Sequence, residues 1–400
     1  MSSRAARLGQ LASFIALNAS NGIALGMVNL ALPLYALSLD ANQVELGAVR
    51  GAAGLGLLCA VIPAGFIIDH FGPKRMFHLG NTVAILCVLA LALVKTPLAL
   101  ALLMLTEGTF RSMKFTALNA SFFQSLPQFG MSRVGWYKGS LSLGLTVLGP
   151  VLGGQLLGRV SFETLFHLVV AVMLIPAALT LAAPADPPRP RDDLGLRTTI
   201  RSQLRDFGHH LRRPDVIDAL ATEALVAASF ATFATFGVVL AVSVLSLTPA
   251  EASLLLGAEG LAFIAVVFGA GDIATRQPRH VASLSGIALA TAGFAGLSLA
   301  GGPVSLVACA LGLGLGLGLL QLASSNCAAR LPGEKGKVAA LFLAAMSSGV
   351  SLGPMFGGLV AEHFGTRAVF AAFVPLFAAM AALLLARRPI PFPQEIQERS

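Results

Sequence analysis

Gly65-Phe66-Ile67-Ile68-Asp69-His70-Phe71-Gly72-Pro73-Lys74-Arg75 is a short polar stretch set between two long apolar runs, 45–68 and 76–95. Each run approaches or exceeds the roughly 20 residues that cross a bilayer. The stretch therefore reads as a loop at the mouth of two membrane helices. Gly65 is expected to let a neighbouring helix approach. Asp69 can accept hydrogen bonds from a helix N-terminus or pair with a base. Gly72-Pro73 favours a tight turn, and Lys74-Arg75 suggests the cytoplasmic side. Taken alone, the stretch is equally an ordinary charged loop.

The rest of the chain repeats this theme. Of 400 residues, 56% are hydrophobic and 12% are charged, against about 25% charged in an average soluble domain. Twelve apolar spans are expected, near 11–37, 45–68, 76–95, 98–122, 136–158, 163–183, 217–246, 251–272, 280–300, 303–327, 337–361 and 367–386. The fold class is an all-α polytopic membrane protein. The expected division is a six-helix bundle over 1–183, a basic linker over 184–216, a second bundle over 217–386 and a tail over 387–400.

The net charge of +8 does not point to nucleic acid, because the bases sit in alternate loops. Arg4, Arg7, Lys74, Arg75, Arg133, Lys138, the arginines of the linker, Arg276, Arg279, Arg330, Lys335, Lys337, Arg387, Arg388 and Arg399 fall on one side. Only Arg50, Lys95, Arg159 and Arg367 fall on the other. The positive-inside rule then places both termini in the cytoplasm. Cys59, Cys87, Cys309 and Cys327 lie in apolar or small-residue runs without CxxC spacing, so no metal site, cofactor or disulfide framework is expected. No cleavable signal peptide is expected, since the apolar run after Gln10 is too long and too polar for one. Within the linker, Arg197, Arg201 and Arg205 make one basic helix face, read as a helix on the membrane surface joining the two halves.

The halves carry internal copies. Gly149-Pro150-Val151-Leu152-Gly153-Gly154 recurs 204 residues later as Gly353-Pro354-Met355-Phe356-Gly357-Gly358. The same offset carries the opening stretch onto Gly269 to Arg279, a degenerate copy with Asp272, Arg276 and Pro278. Two motifs at one offset argue for duplication.

On these residues the chain resembles the major facilitator superfamily of secondary transporters over its whole length. Gly65-x-x-x-Asp69-His70-x-Gly72-x-Lys74-Arg75 resembles the family's loop motif, with His70 where an Arg is usual and Pro73 where a base is usual. Gly149-Pro150-x-x-Gly153-Gly154 resembles the fifth-helix motif of proton-coupled antiporters, the drug-efflux branch among them. The glycine usual four residues before Gly149 is Leu145 here, with Gly144 beside it, whereas the second copy keeps it as Gly349. In the fourth helix Gly108 fits the family's glycine, but Met104 occupies the position of the usual Arg. The resemblance implies two six-helix bundles around a central cavity, with sites near the bilayer midplane. It assigns Gly65, Asp69, Gly72, Lys74, Arg75 and the two Gly-Pro motifs to gating and structure.

Polar residues that are costly to bury point to that cavity. In the fourth span Glu107, Arg111 and Lys114 are spaced i, i+4, i+7 on one helix face. Arg111 and Lys114 are candidates for binding a carboxylate or phosphate, Arg through a two-pronged hydrogen bond and Lys as a point charge. Glu107 would pair with Arg111 when the site is empty. The alternative is a permanent Glu107–Arg111 pair with Lys114 reaching toward the cytoplasmic surface. Asn18, Asn21 and Asn29 fall in one stripe roughly 80° wide on the first helix, as cavity-lining amides or as interhelical hydrogen bonds. Arg50, near the outer start of the second span, is expected to pair with Glu45, the alternative being that it guards the entrance. Glu223, Glu259 and Glu107 are candidates for carrying a proton, because a carboxyl in an apolar site holds its proton to higher pH; Glu107 would be displaced from Arg111 or protonated during the cycle. Glu259 is the better placed, and Glu223 is expected to be capped or paired. Gly312, Gly314, Gly316 and Gly318 suggest close helix packing, and no ATP-binding motif is present.

The expected function is gradient-driven transport of an anionic or amphipathic organic solute across the cytoplasmic membrane, as proton-coupled export. Drug or lipophilic-cation efflux, organic-anion import and a non-transporting sensor or scaffold are the alternatives. An enzyme is not expected. The partners are a small-molecule substrate, protons and lipid, with no nucleic acid, and a monomer is expected.

Overall fold

The computed structural model describes residues 2–129, 133–181, 214–269, 279–330 and 335–386. Twelve helices follow one another in these residues. They are α1 (Ser2–Ser38), α2 (Gln43–Phe71), α3 (Pro73–Leu91), α4 (Pro97–Phe129), α5 and α6 in the first half. Helix α5 runs from Arg133–Leu143 through a π segment, Gly144–Leu148, into Gly149–Leu157, and α6 is Phe162–Leu181. Helix α7 is Pro214–Thr232 prolonged by π segments Phe233–Gly237 and Leu240–Val244. Then come α8 (Pro249–Gly269), α9 (Arg279–Leu299), α10 (Pro303–Arg330), α11 (Lys335–Phe364) and α12 (Thr366–Ala386). Eleven are long and apolar enough to cross a membrane. The exception, α4, has the length but carries Glu107, Arg111 and Lys114.

Large apolar side chains cover the outside, among them Leu86, Leu93, Leu102, Leu174, Leu261 and Leu359. In a bilayer this is the normal outer face, and between helices close packing of small residues replaces the hydrophobic drive of water. The cores reflect this. Gly56 of α2 lies on the Leu105 carbonyl of α4, and Gly108 of α4 lies on the Ala53 carbonyl of α2. In the second half Gly314 of α10 lies on the Glu259 carbonyl of α8, while Gly316 faces Gly286 and Ala290 of α9. The glycine run of α10 thus seats that helix between α8 and α9.

Helix starts repeat as well. Asn42 Oδ1 accepts from the Glu45 N–H at 2.8 Å, and Glu45 Oε2 accepts from the Asn42 N–H at 2.9 Å. At α8 the same reciprocal pair forms between Thr248 and Glu251. Such a box satisfies two backbone donors that the helix leaves open. It also engages Glu45, so the expected Arg50–Glu45 pair does not form.

The α2–α3 turn is as tight as Gly72-Pro73 suggests. Gly72 adopts φ 85°, donates to the Ile68 carbonyl at 2.9 Å, and hands over to Pro73 at the first position of α3. Lys74 Nζ reaches the Leu181 carbonyl at the end of α6, at 3.4 Å. Gly65 corrects its reading, because a Cβ there would meet nothing within 4 Å. Among the described residues no neighbouring helix comes that close. The side chain of Asp69 lies outside the described ones, as do Asp272, Arg276 and most of the linker.

The halves meet chiefly through two helix pairs, α2 with α11 and α5 with α8, with a smaller contact of α1 and α2 on α7. Along α2 the close approaches are Gly47 on the Pro354 carbonyl, Gly51 on Ser351 and Met355, and Gly54 on Ser351. Gln43 N–H also donates to Glu362 Oε2 at 2.9 Å. All lie toward the end that carries residues 39–42. On the other pair Gly154 lies on Pro249 and Ser253, Gly260 on Thr146, and Gly139 touches only the ring tip of Phe268. Near that last contact, at the opposite end, a cavity of about 560 Å³ is lined by Ile15, Ala19, Trp136, Gly139, Ile264 and Phe268 among others.

The two Gly-Pro motifs build this arrangement. Gly149 lies on the Ile23 carbonyl and Gly26 of α1, and Gly153 on Met27. Gly154, the next residue, faces α8 in the other half. In α11, Gly353 lies on Ala228 of α7 and Gly357 on Phe236, while Gly358 faces Gln43 and Gly47 of α2. Gly349 lies on Ala224 and Ala228. In the first copy Gly144, five residues before Gly149, makes the matching contact with Ala19 and Ile23. The π turn explains the extra residue. The Gly149 N–H bonds to the Gly144 carbonyl, an i→i+5 closure that puts Gly144 where i−4 would stand in a regular helix.

Candidate functional site

Helix α4 buries its charged face against α1, α2 and α3. A small enclosed cavity of about 20 Å³ is lined there by Asn21, Val28, Asn29, Arg50, Met104, Glu107, Arg111 and Lys114 among others. That is room for about one water. Five of the six residues expected to bind substrate are brought together. Met104, at the position of the family's usual Arg, and Arg111, seven residues or about two turns further along, line the same cavity.

Glu107 Oε2 lies 3.6 Å from Arg111 Nη1. This is an ion pair, but too long for a hydrogen bond. Arg111 Nε is buried without a partner. Lys114 is 1% exposed. Its Nζ reaches Asn81 Oδ1 at 3.5 Å and lies 5.6 Å from the Phe115 ring centroid, so it does not reach toward the surface. Asn81 is in turn fixed by donating to the Met173 carbonyl at 3.1 Å. Asn81 was missed from sequence, although a lone amide inside the apolar α3 run is the same signal that marked Asn21 and Asn29.

Arg50 sits elsewhere than expected. Its Nη1 donates to Asn29 Oδ1 at 3.0 Å and its Nε donates to Thr235 Oγ1 at 3.1 Å. Thr235 belongs to a π segment of α7, so the guanidinium joins three helices across the two halves. Asn18 leaves the stripe. Its Nδ2 donates to the Tyr137 carbonyl at 2.8 Å, a tie between α1 and α5 away from the cavity. Asn21 Nδ2 bonds within its own helix to the Leu17 carbonyl at 2.9 Å, leaving Oδ1 buried without a partner.

Of the three candidate proton carriers, Glu107 is the one paired with Arg111, and the two in the second half differ from each other. Glu223 accepts from Ser324 Oγ at 2.6 Å and from Gln321 Nε2 at 3.1 and 3.2 Å, a satisfied tie between α7 and α10. Glu259, in α8, is 2% exposed and its Oε1 has no partner. Among the described residues no base lies within 4.0 Å of it.

The family model for the Major Facilitator Superfamily matches residues 14–347. The multidrug resistance protein MdtG of Rahnella sp. is 26% identical over 159 residues, a match covering 39% of this chain and 39% of that protein. An uncharacterised MFS-type transporter of Methanocaldococcus jannaschii is 24% identical over 148 residues, covering 36% and 38%. The chain thus matches about two fifths of the length of these relatives. Among solved structures, the nucleoside transporter NupG superposes with a TM-score of 0.76 at 15% identity, over 94% of this chain and 98% of that one. An inward-facing bacterial homologue of the human lysosomal transporter Spinster superposes with a TM-score of 0.71 at 16% identity, over 95% and 94%. These likenesses carry the fold, and the family model carries the membership: the chain belongs to the Major Facilitator Superfamily and is a multi-pass membrane protein.

Proposed function

We propose that the chain exports an anionic or amphipathic organic solute across the cytoplasmic membrane by alternating access, driven by protons. The observation that carries this reading is the loosely paired Arg111 beside Lys114 in a cavity of the first half. A carboxylate or phosphate supplies the partner that Arg111 Nε lacks and a charged acceptor for Lys114 Nζ, whose hydrogen bond to Asn81 is long. Glu107 then gives up its hold on Arg111. The proton carrier is Glu259, whose carboxyl oxygen has no other partner. Glu223, held by Gln321 and Ser324, serves structure. Both termini lie in the cytoplasm, on the argument of loop charge. The tight α2–α11 end is then the outer gate, and the cavity between α1, α5 and α8 faces inward.

Efflux of a lipophilic drug is the second reading, favoured by the name of the Rahnella relative and by the apolar lining of the larger cavity. Ligand-dependent thermal stabilisation separates the two. A ligand at a hundred times its dissociation constant adds about 2.7 kcal/mol. Organic anions should stabilise the wild type and fail with Arg111→Gln. Stabilisation by lipophilic cations alone, undiminished in the variant, makes Arg111 structural and hands the site to the drug reading.

A further inference from the structure

The cavity around Arg111 holds a third base. Arg50 reaches it from α2, and the three side chains Arg50, Arg111 and Lys114 face a single acid, Glu107. With all four ionised, the lining carries a formal charge of +2. Among the described residues no carboxylate lies within 4.0 Å of Arg50. Its known partners, Asn29 and Thr235, are neutral. An excess of two positive charges carried by one buried and two half-buried side chains is expensive in a membrane interior. It is relieved by a ligand that brings two negative charges.

The same geometry ties charge to movement. The cavity of about 20 Å³ admits about one water and no carboxylate or phosphate group. It must widen to take a ligand. Its walls come mostly from the first half, but Arg50 is anchored to Thr235 of the second. An anion that draws the Arg50 guanidinium charge inward competes with that anchor.

Resting on the anion reading above, we infer that Arg50 is the third cation of the substrate site, and that the site selects doubly charged anions, dicarboxylates or phosphate monoesters, over singly charged ones. Thermal-shift titrations at pH 7.5 test this with two matched pairs, succinate against butyrate and phenyl phosphate against benzoate. In the wild type the dianion of at least one pair should bind about tenfold or more tightly than its partner. Which pair responds tells a dicarboxylate site from a phosphate site. Arg50→Gln should erase that preference, so that the dianion and the monoanion of the responding pair bind within about twofold of one another. Arg50→Lys keeps the charge and should keep the preference, and it stands in if the Gln variant does not fold. Equal affinity for both members of each pair, or a preference that survives Arg50→Gln, or one lost in Arg50→Lys, overturns the inference and leaves the anion reading standing. Failure of all four probes to stabilise the wild type overturns both.

Discussion

Glu107 and Arg111 stand one turn apart on α4 and hold each other at 3.6 Å, while Arg111 Nε is left without a partner. The pair neutralises charge without using up the guanidinium. An empty site of this kind stays stable and still has donors to offer.

Glu107→Gln leaves that guanidinium without its counter-charge. Removing one member of a buried pair costs about 3–5 kcal/mol, and the partial exposure of Arg111 reduces this to about 1–3 kcal/mol. The variant should melt lower in detergent, and a bound organic anion should restore much of the loss. Equal melting of variant and wild type would show that the pair contributes nothing.

Gly154 faces Pro249 and Ser253 across the two halves, whereas Gly153 faces Met27 within one half. A side chain at Gly154 therefore obstructs closure between halves. Overpacking costs about 1–3 kcal/mol, enough to shift a two-state balance by about fivefold to about 150-fold. With Gly154→Leu, a cysteine at Val151, which lies at the α5–α8 contact, should react faster with a membrane-impermeant maleimide. An unchanged labelling rate with transport intact rules out the gating role.

Glu362 of α11 accepts from the first backbone N–H of α2, where the helix dipole favours a negative charge. Glu362→Gln weakens this tie by about 0.3–1 kcal/mol. Distances between spin labels at Asp40→Cys and Thr366→Cys should show a two- to fivefold larger open fraction, about the shift that such an energy gives. A distance distribution that does not change removes Glu362 from the gate.

Glu259→Gln keeps the shape of the side chain and removes its proton chemistry. Liposomes holding the variant should exchange substrate down its own gradient, yet fail to concentrate it when a pH gradient is imposed. Glu223→Gln should instead lower stability and leave coupling in place, because its oxygens already serve Ser324 and Gln321. Coupling that persists in Glu259→Gln moves the proton to another group.

Much of this architecture is legible in the chain because a bilayer writes helices as apolar length, and because duplication repeats Gly149-Pro150 as Gly353-Pro354. The cluster on α4 is legible for the same reason, since three charges spaced on one face of a span stand out against their background. What could not be read is which neighbour each polar face meets. Asn18 and Asn21 lie about 60° apart on a helical wheel, and only the placement of α5 sends the first to Tyr137 while the second stays at the cavity. Arg50 has a glutamate five residues before it, but the start of α2 claims Glu45 for its own backbone. The partners Arg50 does take, Asn29 and Thr235, lie on other helices, 21 and 185 residues away. The displaced Gly144 could be noticed but not explained from sequence, because only the backbone reveals the π turn that realigns it.

The paired glycines have a consequence for descent. In each copy the first glycine serves its own half and the second serves the opposite one. A single six-helix ancestor carrying one Gly-Gly pair could therefore have assembled as a symmetric dimer, each protomer presenting the same small residue to its twin. Fusion then freed the two seams to diverge. One became the short α2–α11 seam with its carboxylate clasp, and the other the longer α5–α8 seam that ends beside an open apolar cleft.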